Sequence, residues 1–348
     1  MRLSFLCVSV MAILGAILPL SVQADVIGKD DRSTHIPEHL QEFTRGVGLF
    51  FNGSGVCTAF CVSNNAVATA AHCLEGKHTK ASDMEFVGFS DGYKYAIPVD
   101  GFEIDSRKPT AVYGNSHKAT GNDAGDWALL RLKWPRCEKV LPLASAAEAR
   151  AVINGKTPGT ATMLSAYLEK SKKTKKYELL LKSSGNCNFQ RDDASLRKIH
   201  ANMIKSKYGS NVAYHSCDSV KGTSGSPIFF QTKDGAVSVV AINFGIHYLR
   251  RYQGKKTKWR STANLAVGIS PFLDKISAIS QSIPIINEKD LRELQTRLKG
   301  RGFLKGNVDG KYGPQTRAAI MSFERENNLS ELGIASLRVL YILRSQSL

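Results

Sequence analysis

The chain has 348 residues, 43% of them hydrophobic, with a formal net charge of +17. That length leaves room for one large domain and a smaller one. Beyond the first two dozen residues no segment approaches the ~20 apolar residues that a bilayer span needs, which excludes a membrane-spanning mature protein.

Arg2, the apolar stretch Leu3 to Leu20 and the small-residue ending Ser21-Val22-Gln23-Ala24 form a secretory signal, with cleavage expected after Ala24 and before the polar Asp25. An uncleaved anchor is the competing reading. The mature chain is therefore expected to be soluble and exported. Six cysteines remain once Cys7 leaves with the signal: Cys57, Cys61, Cys73, Cys137, Cys187 and Cys217. An even set in an exported protein points to three disulfides, chosen from about fifteen pairings, and paired C-x-x-C metal spacing is missing.

From residue 25 to 279, short apolar runs broken by Gly, Asn and Asp predict strands and turns. The runs are Val47–Phe51, Cys57–Val62, Ala128–Leu132, Ile228–Gln231 and Val237–Phe244, with a closing helix over Pro271–Ile279. Positive charge gathers in Lys170–Lys176 (KSKKTKK) and Arg250–Arg260 (RRYQGKKTKWR). Each run reads first as a solvated loop that aids solubility and second as an attraction for polyanions. Nothing in them resembles a nucleic-acid-binding motif.

Three motifs carry chemistry. His72 lies in Ala68-Thr69-Ala70-Ala71-His72-Cys73, Asp126 opens Asp126-Trp127-Ala128-Leu129-Leu130-Arg131-Leu132, and Ser224 sits in Gly222-Thr223-Ser224-Gly225-Ser226-Pro227. A serine flanked by glycines occupies backbone that can bend sharply and be closely approached. The local sequences and the chain order His, Asp, Ser resemble those of the trypsin/chymotrypsin-like serine proteases over roughly Val26 to Ile279. The heptad Val26-Ile27-Gly28-Lys29-Asp30-Asp31-Arg32 links the chain to the bacterial, glutamyl endopeptidase-like branch.

The resemblance implies a mainly β fold of two packed six-stranded antiparallel β-barrels with the site in the cleft between them. It implies Ser224 as nucleophile, His72 as general base, Asp126 as the acid that orients the imidazole, and the N–H groups of Gly222 and Ser224 as the oxyanion hole. Ser226 reads as a turn serine. Asp123 lacks the strand that follows Asp126, and His35, His39, His78, His117, His200, His215 and His247 lack the setting of His72. The family's histidine loop implies the bridge Cys57–Cys73, and bacterial relatives suggest Cys187–Cys217, which leaves Cys61 with Cys137.

Specificity is less legible. Asp218, six residues before Ser224, occupies the position where trypsin keeps the acid of its primary pocket, which favours cleavage after Lys or Arg. A surface-turn carboxylate is the bland alternative. A glutamate-specific endopeptidase is the alternative, although glutamyl endopeptidases carry a histidine where this chain has Asn243, while Phe244 and Gly245 fit the pocket wall of either group. Thr223 stands where trypsin has an aspartate that pairs with the new α-amine, so the trypsin-type activation switch is not expected. No cofactor or metal is implied. A catalytically silent protease-fold binding protein is the alternative to an enzyme.

Residues 280–286 have the composition of a linker. From 287 to 348 the pattern becomes helical, with Leu291, Leu294 and Leu298, then Ala318, Ala319 and Phe323. The runs LRELQTRL, GFLKGNVDGKYGPQT and AAIMSFERENNL resemble the small all-α three-helix peptidoglycan-binding domain of bacterial wall enzymes. Expected partners are thus a protein or peptide substrate and peptidoglycan or an anionic wall polymer. Localisation would be secreted or periplasmic. A peptidoglycan hydrolase would need paired acids or a zinc motif, and neither is found.

Overall fold

The computed structural model describes residues 26, 30–53, 55–74, 84–90, 93–98, 126–132, 137–170, 177–190, 211–253, 256–281, 287–329 and 331–346. The signal segment, residues 27–29 and 171–176, Asp123, His78, His117 and His200 lie outside the described residues, as do the side chains of His247 and of Arg250–Arg260.

The short apolar runs do form strands. The first sheet contains β1 (Val47–Phe51), β2 (Val56–Ser63), β3 (Ala66–Thr69), β4 (Glu85–Ser90), β5 (Tyr93–Pro98) and β6 (Ala128–Arg131), in the order β5-β4-β1-β2-β3-β6. The second contains β7 (Gly159–Lys170), β8 (Tyr177–Ser183), β9 (Phe189–Gln190), β10 (Val212–His215), β11 (Pro227–Thr232), β12 (Val237–Gln253) and β13 (Lys256–Gly268), in the order β8-β7-β11-β12-β13-β10-β9. This sheet has seven strands where six are expected, because the two-residue β9 adds an edge beside β10. Neighbours pair antiparallel throughout, as in β1 with β2 and β12 with β13.

Strands β1, β2 and β3 are buried along almost their whole length, which explains why they read as continuous apolar runs rather than alternating ones. Phe50, Phe60, Phe229 and Phe272 fill one core shared by both sheets. Thr58 ties the sheets together: its hydroxyl accepts the Ala166 N–H at 3.1 Å and donates to the Gly222 carbonyl at 3.0 Å. Helix α2 (Ala146–Ile153), which follows the short α1 (Glu38–Gln41), starts in a capping box of Ser145 and Glu148. The expected closing helix is a 3-10 turn over Ser270–Lys275 that continues as α3 (Ile276–Gln281).

The C-terminal unit holds α4 (Glu288–Gly300), α5 (Pro314–Glu326) and α6 (Leu337–Ser345). Asn287 caps α4, acids fill its first turn and bases its last, complementing the helix dipole. Leu291, Leu294, Leu298, Ile320, Phe323, Val339, Leu340 and Leu343 form its core. Ala318 does not join them: it is exposed, and Ala319 and Ile320 face inward instead. Buried Gln295 organises the Val308-Asp309-Gly310 turn, donating to Asp309 Oδ1 and the Lys311 carbonyl and accepting the Gly310 N–H at 2.7 Å.

Two residues of this unit pack elsewhere. Leu332 and Ile334, 5% and 1% exposed, belong to the core of the β-sheets rather than to that of the helices. Between them Gly333 is held from both sides: its N–H donates to Glu324 Oε2 at 2.6 Å and its carbonyl accepts the Tyr312 hydroxyl at 2.5 Å. Lys275, at the end of the 3-10 turn, lies near enough to help Arg325 hold the Glu331 carboxyl below its ordinary range.

Candidate active site

Strand β3 delivers the chain into a 3-10 turn, Ala71–Leu74, that carries His72. Pairing of Thr69 with Ala128 places the residues after β3 opposite those before β6. That register brings His72 to Asp126. The Asp126 carboxylate, 5% exposed, accepts the His72 backbone N–H on Oδ1 at 2.8 Å and meets Nδ1 with Oδ2 at 2.5 Å. Two carboxylate contacts fix both the position and the ring angle of the imidazole. Trp127, the next residue, packs its ring at a tilt against Phe272, with centroids 5.4 Å apart. Below the ring, Cys57–Cys73 closes the turn, and Asn52 donates to the Cys73 carbonyl at 2.6 Å.

Gly222–Ser226 forms a tight turn that feeds β11. Gly225 has φ +85°, and a Cβ there would lie 2.1 Å from the Thr58 carbonyl oxygen and 3.1 Å from the Ala70 nitrogen. Only glycine lets the turn press against β2 and the end of β3, two residues from His72. The Ser224 carbonyl accepts the Thr58 N–H at 2.8 Å, and the Gly225 N–H donates to the Asn243 carbonyl at 2.7 Å. Ser224 and His72 thus stand on segments in direct contact across the two sheets. Gly222 has φ +99° and nothing within 4 Å of its missing Cβ. Among the described residues, the N–H groups of Gly222 and Ser224 have no hydrogen-bond partner. They are free donors beside a serine hydroxyl, as an oxyanion site requires. Ser226 is buried and donates to Ser165 Oγ at 2.7 Å, in keeping with a turn role.

Of the residues expected to line a pocket, Asn243 touches this turn directly. Asp218 is 2% exposed and accepts the Asp31 N–H on Oδ2 at 3.0 Å, which overturns the surface-turn alternative. Asp31 arrives because Ser33 and Ser183 exchange backbone hydrogen bonds, laying the N-terminal segment along β8. Burial first, and the Asp218 charge second, push the Asp31 carboxyl up to about 6. Phe244 is the extra residue of a β-bulge in β12, between pairs Asn243–Ala266 and Gly245–Leu265, and bulges re-aim side chains at such sites. Asn243 is 1% exposed, and its amide meets Ser219, Thr223 and His215.

All three expected disulfides are present: Cys57–Cys73, Cys61–Cys137 and Cys187–Cys217. Cys57, His72 and Cys73 are close enough to share a metal, but both sulfurs are bonded to each other and offer no thiolate. His215, Asp31 and Thr58 join the contacts of this site without a motif of their own. For His215 a signal existed: it lies two residues before Cys217 and three before Asp218.

The trypsin family model matches residues 38–264. The chain belongs to the trypsin family. A second model, described as "Putative peptidoglycan binding domain", matches residues 287–343. Among solved structures, this trypsin-family chain is similar to the scabies mite inactivated protease paralogue S-D1. The identity is 16%, the match covers 70% of this chain and 96% of that one, and the TM-score is 0.45. It is likewise similar to neuropsin, a serine protease expressed in the limbic system of mouse brain. There the identity is 17%, coverage is 71% and 98%, and the TM-score is 0.44. A curated relative, the N-acetylmuramoyl-L-alanine amidase CwlM of Mycobacterium tuberculosis, is 47% identical over 60 residues, which are 16% of this chain and 15% of that protein.

Proposed function

We propose that this trypsin-family protein is an exported serine endopeptidase directed to the bacterial cell wall. The observation that carries the proposal is the double hold of Asp126 on His72, on a segment whose neighbour β2 receives the Ser224 turn, where the N–H groups of Gly222 and Ser224 have no partner among the described residues. In the mechanism this geometry supports, Asp126 keeps the Nδ1 proton in place and Nε2 of His72 accepts the proton of Ser224 as its oxygen attacks the peptide carbonyl. The oxyanion lies against the N–H groups of Gly222 and Ser224. His72 then gives its proton to the departing amine, and water repeats the sequence to release the acyl group from Ser224.

Asp218 with Phe244 and Gly245, backed by Asn243, would form the primary pocket. A buried carboxylate there favours a substrate Lys or Arg over Glu. The peptidoglycan-binding match and the name of the mycobacterial relative support a wall target. Three disulfides suit an oxidising compartment outside the cytoplasm. Labelling the mature protein with a fluorophosphonate tests the enzyme reading: an adduct on Ser224 that disappears in Ser224→Ala is expected. An intact, folded protein that takes no label would instead be a protease-fold binding protein. Sedimentation with purified peptidoglycan, lost on removal of residues 287–348, tests the wall target.

A further inference from the structure

The turn that carries the nucleophile is held by a chain of uncharged hydrogen bonds whose members can be assigned donor by donor. Thr223 is fully buried and its hydroxyl donates to the Val220 carbonyl at 2.8 Å. With that proton committed, the 2.5 Å contact between Ser219 Oγ and Thr223 Oγ1 has Ser219 as donor. Asn243 Nδ2 donates to the Thr223 carbonyl at 2.9 Å and also reaches Thr223 Oγ1 and Ser219 Oγ, each at 3.2 Å. A carbonyl can only accept, so the amide nitrogen must face Thr223 and Oδ1 must face the other way. There it meets His215 Nε2 at 3.1 Å, which makes His215 the donor and sets its tautomer. His215 is wholly buried, its Nδ1 has no hydrogen-bond partner among the described residues, and desolvation lowers its pKa to about 4, so the ring is neutral near pH 7.

Backbone contacts complete the hold. The Asn243 carbonyl accepts from Gly225 N–H at 2.7 Å, and the Asn243 N–H donates to the Ser226 carbonyl at 2.9 Å. One residue therefore grips Thr223, Gly225 and Ser226, on both sides of Ser224. In trypsin, as noted above, a charged pair formed after cleavage acts at the position of Thr223. A neutral threonine cannot form that pair.

We infer that Asn243, oriented by His215, is the positioning residue that sets the oxyanion hole of this enzyme, in place of a charged pair at Thr223. The inference rests on the endopeptidase reading and deepens it. Asn243 acts through the Thr223–Ser226 backbone and touches no reacting atom.

The test compares Asn243→Leu, His215→Phe and His215→Gln with the wild type in the mature full-length protein. Asn243→Leu keeps the volume and removes both amide donors. Its kcat is expected to fall on the order of 10²-fold with KM changed less than about threefold, the size expected for displaced oxyanion donors. Affinity for a peptide aldehyde, whose hemiacetal oxygen occupies the hole, should fall in parallel with kcat. His215→Phe should lose about tenfold in kcat through the freed amide, and His215→Gln, which can offer an amide N–H to Oδ1, should recover most of it. A purely structural histidine would show no such recovery. Should Asn243→Leu not fold, the ratio of kcat between the two His215 variants decides. Equal kcat in those variants, or an Asn243→Leu effect confined to KM, overturns the inference while leaving the enzyme reading intact. A wild type that takes no fluorophosphonate label overturns both.

Discussion

Asp126 contacts His72 at two atoms, accepting the backbone N–H at 2.8 Å and facing Nδ1 at 2.5 Å. Each carboxylate oxygen meets a donor, so an amide cannot replace the acid without error. In Asp126→Asn the NH2 group must face either the backbone N–H or the ring, and facing the ring it imposes the wrong tautomer. Turnover should fall about 10⁴-fold with the fold intact, and His72→Ala and Ser224→Ala should fall at least as far. Steady-state kinetics beside near-unchanged circular dichroism checks this.

The buried Asp218 carboxylate predicts the cleavage profile. Asp218→Ser should abolish preference for Lys or Arg in a peptide-library digest. A profile that stays the same in the variant would reject Asp218 as the pocket acid.

The Asp31–Asp218 contact predicts a pH effect with a definite sign. Asp31 is raised from 3.8 to about 6 by burial and by its neighbouring acids. The folded state thus binds more protons than the unfolded state between these values, and this contribution to stability is lost as pH rises through about 6. Asp31→Asn keeps a neutral partner at every pH. The thermal midpoint of the wild type should therefore drop relative to that of Asp31→Asn between pH 4 and 7, and the two should converge at low pH.

Ile334, 1% exposed, is anchored in the sheet core from a loop of the helical unit. Truncation to Ala should destabilise the β domain by about 2–5 kcal/mol, the usual cost of such a cavity. Calorimetry of the full chain reads it directly; a transition unmoved for the β domain would show that the contact contributes nothing.

Much of this was legible in the chain because it is local. His72, Asp126 and Ser224 each bring their own short motif, and the cysteines pair as the family resemblance implies. The helical unit announces itself through Leu291, Leu294 and Leu298 and its glycine turns. What stayed hidden depends on contacts far apart in sequence. Asp31 meets Asp218 across 187 residues, and no local pattern records that approach. Asn243 is placed beside the pocket by resemblance, and no local pattern says which partners its amide finds. His215 looked like one histidine among several, since burial in β10 depends on how that strand is covered. Leu332 and Ile334 lie in a loop, where apolar residues carry no period to indicate which core they enter.

The loop from Glu331 to Ile334 also bears on how the molecule reaches its targets. A unit joined only by a linker would let the cleft sweep a wide volume around any point of attachment. Leu332 and Ile334 instead bolt the helices to the sheets, with Glu324 and Tyr312 bracing the loop from within. On the proposed function, a wall gripped by the helices would hold the site at a set distance from it, so that position as well as sequence would select the substrate.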